Sequence, residues 1–212
     1  MGLVEHFEKF LGQIEVGWSV DADGRRMPFQ IVRFPQGSGP GTISFATLGL
    51  GRYPLTSPNS DIEIRHELLM LAPESLGDGV LPSLIQQVGE ETIHSQRPLL
   101  RGDVIGPRGP LIPGSQMEAL YVTLPVYFPD EFATCEEEDH TIVIAWLVPI
   151  SASEAHYIVH HGWADFEDRL VEQDPDLTDL GRQPMLLQPE TEHESTSRRR
   201  EGRGDRQPGA LQ

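Results

Sequence analysis

Residues 141–163 read TIVIAWLVPISASEAHYIVHHGW, an apolar run that turns abruptly into a polar, histidine-rich segment. The first ten residues are dense in β-branched and aromatic side chains, the composition of a buried strand. Ser151 and Glu154 stand at the spacing of a capping box, in which each side chain satisfies a backbone N–H at a helix start. Gly162 is placed to end that helix. The stretch therefore predicts a strand followed at once by a helix. A second amphipathic segment comes next, with Trp163, Phe166 and Leu170 three or four apart. Asp165 and Arg169 are set for a supporting i,i+4 ion pair on it.

Upstream, EVGWSV and MPFQIVRF flank the turn-rich DADGRR and predict a hairpin or short loop. TISFATLGL reads as a strand after the Gly/Pro loop PQGSGPG. DIEIRHELLMLAP passes from alternation at Ile62 and Ile64 to a continuous apolar run, as in a strand moving from half-buried to buried. EALYVTLPVYF is a further strand. Leu81, Leu84, Ile85 and Val88 predict a helix over LPSLIQQVGEETI, with Gly89 weakening its end. Strands, a helix, more strands and then helices imply an α+β fold: a central, mostly antiparallel or mixed sheet with helices packed on it. Residues 1–184 are expected to form this domain and 185–212 a disordered, polar, Arg-rich tail.

Sixteen basic residues face 33 acidic ones, giving a net charge of −17. From Met185 onward five arginines balance five acids, so the whole deficit lies on residues 1–184. Such a domain repels nucleic acid and anionic membranes and attracts basic protein surfaces. No apolar stretch approaches the roughly 18 residues of a membrane span. The segment MGLVEHFEKFLGQIEV lacks the basic start and apolar run of a secretion signal. A single cysteine, Cys135, excludes an internal disulfide framework. Together these features point to the cytoplasm.

Candidate chemistry centres on the histidines. His156 and His160 have the i,i+4 spacing that puts two metal ligands on one helix face. Tyr157 stands where the H-E-x-x-H pattern needs Glu, and a third ligand would have to come from Glu154, His140 or His94. With Ala155, Ile158 and Val159 as the buried stripe, the two histidines fall at its margin, so the alternatives are a metal site and two boundary residues. Cys135 precedes four acids that should raise its thiol pKa, the opposite of an activated nucleophile. No G-x-S-x-G elbow occurs, and GSGPGTIS lacks the lysine of a P-loop. The Arg203–Asp205 tripeptide, RGD, sits in the tail. Asp130, Glu131, Glu136, Glu137, Glu138 and Asp139 place six acids in ten residues. They either form a solvated hairpin tip or face a basic protein.

The order of segments resembles the Suppressor of fused family, in its bacterial single-domain form, over about residues 15–184. TLGL before IEIRHELL, GDVI with a downstream GS, LVPI before a helix-opening Glu154, and the closing PDLTDLGRQP carry the resemblance. The resemblance implies a mixed α/β domain with no catalytic residues to carry over and no cofactor. Animal members bind a transcription factor of the Hedgehog pathway. Bacterial members of the family that this sequence resembles are often encoded beside polymorphic toxins and are inferred to be immunity proteins. The expected function is thus a non-enzymatic protein-binding module that occludes a cognate toxin, for example a basic nuclease. A regulatory adaptor without a toxin and a metal-dependent enzyme centred on His156 and His160 are the alternatives.

Overall fold

The structure is a computed structural model and describes residues 2–57 and 62–187. From residue 188 onward the expected tail, with its Arg203–Asp205 tripeptide, lies outside the described residues. The chain runs α1 (Leu3–Leu11), β1 (Val16–Val20), β2 (Arg26–Phe34), β3 (Thr42–Leu48), β4 (Leu55–Thr56) and β5 (Glu63–Pro73). It continues with α2 (Leu81–Ser95), β6 (Val104–Ile105), β7 (Met117–Thr123), β8 (Thr134–Glu136), β9 (Thr141–Ser151), α3 (Ala152–His161) and α4 (Trp163–Gln173).

The strands form one mixed sheet of order β1-β2-β3-β5-β9-β7-β6, with β4 beside β5 and β8 beside β9. Among the described residues, only β5 and β9 pair in parallel, Arg65 opposite Ile142 and Leu69 opposite Trp146. These two strands carry the longest apolar runs, as a pair buried on both faces requires. Along β9, Ile142, Ile144, Trp146, Val148 and Ile150 point to the core beneath α1, α3 and α4. Ala145 and Leu147 point to the opposite core, which α2 covers with Leu81, Ile85 and Val88. The α+β expectation holds.

Three local expectations differ, and one helix is additional to those expected. The N-terminal segment is a helix, α1, burying Leu3, Phe7 and Leu11 at helical spacing. The expected strand EALYVTLPVYF ends at Thr123, because Pro125 cannot donate to a ladder, and Leu124, Val126 and Tyr127 are exposed. Helix α2 runs straight through Gly89: a Cβ there would lie 2.4 Å from Phe29 Cζ, so glycine permits the close approach of helix and sheet. In α3 the buried stripe uses Tyr157 rather than Val159, which is 74% exposed.

Candidate functional site

The charged residues inside the domain are tied into structural bonds. Glu67, fully buried on β5, accepts from the backbone N–H groups of Gly49 (2.9 Å), Leu50 (3.2 Å) and Gly51 (3.0 Å) and from Thr47 Oγ1 (2.5 Å). Gly49 takes a left-handed φ of 101°, which lets the TLGL turn wrap its N–H groups around the carboxylate. Burial raises the Glu67 pKa against these four donors. With both oxygens saturated, the carboxylate is a clasp between β3 and β5 and has no lone pair aimed at a substrate.

Glu154 is the second clasp. Ser151 N–H donates to Glu154 Oε2 at 2.7 Å and Glu154 N–H to Ser151 Oγ at 3.2 Å, the expected capping box. Arg182 adds a two-pronged ion pair, Nη1 to Oε1 at 2.7 Å and Nη2 to Oε2 at 2.9 Å, with side chains 6% and 0% exposed. Nη2 also donates to the Pro149 carbonyl, and Met185 N–H to Oε1. Burial alone would raise the Glu154 pKa, but Arg182 and the backbone donors outweigh it and hold the carboxyl below its usual range. The sequence named Glu154 as a cap; it did not name Arg182, which lies 28 positions away. Ser115 repeats the pattern, donating to the Leu180 carbonyl and accepting from Met117 N–H.

His156 and His160 are both exposed on α3, rings 4.2 Å apart. The structure does not bring Glu154, His140 or His94 to them: Glu154 is committed to Arg182, His140 sits in the β8–β9 turn and His94 on α2. Among the described residues, no three His, Cys, Asp or Glu side chains gather as a metal site. Two other histidines are buried instead: His6 on α1, whose ring meets the Phe132 carbonyl at 3.1 Å, and His66, 1% exposed on β5, whose pKa burial lowers to about 4. Cys135 is buried in β8, and burial, then Glu137 and Glu136, raises its thiol pKa.

The acidic segment divides in two. Asp130 and Glu131 lie in a short 3-10 turn whose Phe132 anchors in the core beside α1, and Glu131 pairs with Lys9 at 2.9 Å. Glu136–Asp139 cap the β8–β9 hairpin, where His140 meets Glu137 and Asp139. Five of the six acids are exposed, with Glu137 half-buried. Beside this hairpin opens a cleft of about 630 Å³, walled by the start of α1, the Gly49–Arg52 turn, Arg65, Glu67 and His140. Arg65 donates to the Gly51 carbonyl at 3.0 Å, so the cleft floor, like Glu67, is structurally engaged. What remains available here is a surface: a solvated acidic rim over buried carboxylates that are already engaged. Among the described residues no helix is long and apolar enough to cross a membrane.

Comparison with known proteins bears on the fold. The family model for Suppressor of fused protein matches residues 25–183. A Suppressor of fused homologue from Neisseria gonorrhoeae is 17% identical, with a TM-score of 0.69 over 87% of this chain and 95% of that one. A chain of the Sufu–Fu complex is 14% identical, with a TM-score of 0.65 over 85% and 89%. Drosophila Suppressor of Fused is 15% identical, with a TM-score of 0.57 over 74% of this chain and 43% of that longer one. These solved structures share the fold. No curated protein matches the chain.

Proposed function

The chain belongs to the Suppressor of fused family, and from that premise we propose that it is a non-enzymatic, cytoplasmic protein-binding module of the immunity type. It neutralises a cognate, basic toxin domain, for instance a nuclease, by covering its working surface. The observation that carries this is the division of charge. Buried Glu67, Glu154 and Arg182 are consumed in holding the sheet and helices together. Asp130, Glu131, Glu136, Glu137, Glu138 and Asp139 instead line the surface, where Lys9 pairs with Glu131 and the His140 ring lies against Glu137 and Asp139. The Sufu–Fu complex supports a protein partner, since a chain of this fold takes part in it.

A specific interface needs roughly 800 Å² from each side, which a domain of this size supplies. Opposite charge across it speeds encounter and makes the association rate sensitive to salt. The test is co-expression of the chain with the product of the adjacent toxin-like gene. Cells are expected to survive, and the two proteins to co-purify. Replacing Glu136–Asp139 with Ser should weaken the complex and flatten its salt dependence. Failure to protect against any neighbouring gene product would rule out the immunity role. Elemental analysis addresses the enzyme alternative: stoichiometric transition metal bound through His156 and His160 would revive it.

A further inference from the structure

The turn after β7 exposes three apolar side chains in four residues: Leu124 at 38%, Val126 at 63% and Tyr127 at 41%. The turn is held by its own backbone bonds, Val126 N–H to the Leu124 carbonyl and Phe128 N–H to the Pro125 carbonyl. Beneath it lies Trp146, fully buried on the central strand β9, with the Tyr127 ring tilted over the indole at 4.9 Å. The Trp146 Nε1–H is buried and has no hydrogen-bond partner among the described residues. An orphaned buried donor is costly and is rare in folded proteins. Acids flank the turn on both sides. Asp130 and Glu131 follow it in the chain, and around the Tyr127 hydroxyl, which the Leu177 backbone meets, lie Asp176 and Asp174 together with Arg182.

An apolar projection over an unsatisfied indole, set between acids, has the composition of an interface hot spot: aromatic at the centre and charged at the rim. We propose that the Leu124–Tyr127 turn is the docking seat for a partner segment that presents an apolar side chain between Lys or Arg residues. The apolar side chain displaces the Tyr127 ring from Trp146. A partner backbone carbonyl then accepts the indole N–H, while the flanking cations meet Asp130, Glu131, Asp174 and Asp176. The proposal rests on the reading of the protein as a binder of basic partners and places the contact centre on this turn rather than on the hairpin tip.

The test uses the full ¹⁵N-labelled chain and two peptides, acetyl-KRLFRK-amide and acetyl-KRSSRK-amide. Three indole N–H resonances, from Trp18, Trp146 and Trp163, are assigned by single Trp→Phe substitution. The first peptide should shift the Trp146 indole resonance saturably and leave Trp18 in place, while the second should not move Trp146. Val126→Asp, at an exposed position, should weaken binding at least tenfold with the rest of the spectrum unchanged. Trp146→Phe, which removes the donor and keeps an aromatic ring, should weaken it several-fold. A Trp146 resonance that stays still while KRLFRK binds, or full affinity in Val126→Asp, overturns the seat. If the Glu136–Asp139→Ser chain then loses binding, the seat falls while the basic-partner reading stands. No binding of KRLFRK overturns the seat, and failure to retain any basic protein partner as well overturns both.

Discussion

Arg182→Met isolates the ion pair that joins the segment after α4 to the start of α3. The substitution keeps most of the aliphatic volume and deletes the guanidinium, leaving the fully buried Glu154 carboxylate with only the N–H groups of Ser151 and Met185 as donors. Breaking one side of a buried pair costs about 3–5 kcal/mol, because the surviving charge stays desolvated. Against a total stability of about 5–15 kcal/mol this is a large fraction. For a domain of this size it corresponds to a fall in Tm of roughly 6–20 °C. Urea unfolding followed by circular dichroism would measure it directly. The double variant Glu154→Leu/Arg182→Met removes the stranded charge and should recover at least half of the loss. A single-variant loss below about 1 kcal/mol, or a double variant no better than Arg182→Met, would refute the claim that the pair is a mutually dependent clasp.

His66 supplies a pH signature. Its native pKa of about 4 lies below the ordinary 6.5, so as pH falls the unfolded chain takes up a proton that the native state refuses. Stability from this residue is therefore intact above pH 6.5 and is lost progressively toward pH 4, at about 1.36 kcal/mol per pH unit and roughly 3 kcal/mol in all. His66→Gln should flatten that part of the stability profile, and an unchanged slope would contradict it. Gly89→Ala should destabilise by about 1–3 kcal/mol despite alanine's higher helix propensity, because the methyl meets Phe29. Chemical denaturation of Gly89→Ala and Gly89→Ala/Phe29→Leu checks this, with the second expected to regain part of the loss.

The sheet was legible because its signals are local. The apolar runs of β5 and β9, the Asp-Gly turn between β1 and β2, and the Ser151–Glu154 box each lie within a few residues of one another. Helix α1 is equally local, with Leu3, Phe7 and Leu11 on one face, but at nine residues its period is carried by few apolar positions. Gly89 read as a weak helix end because propensity is set by the chain itself, whereas its packing against Phe29 is set by a distant strand. The same limit hid the chemistry of the interior. Glu67 finds its donors 16 to 20 residues away, and Glu154 its arginine 28 away. The motifs that carried the family resemblance, TLGL with IEIRHELL and LVPI with PDLTDLGRQP, turn out to contain these clasps.

The central claim, a basic protein partner held at an acidic face, is tested most directly by isothermal titration of the intact chain with the partner protein that co-purifies with it, across a range of salt. The expected result is a one-to-one complex whose affinity falls steadily as salt rises, with a shallower fall for the Glu136–Asp139→Ser chain. A complex indifferent to salt, or one that the Ser chain forms with unchanged affinity and salt dependence, would contradict it.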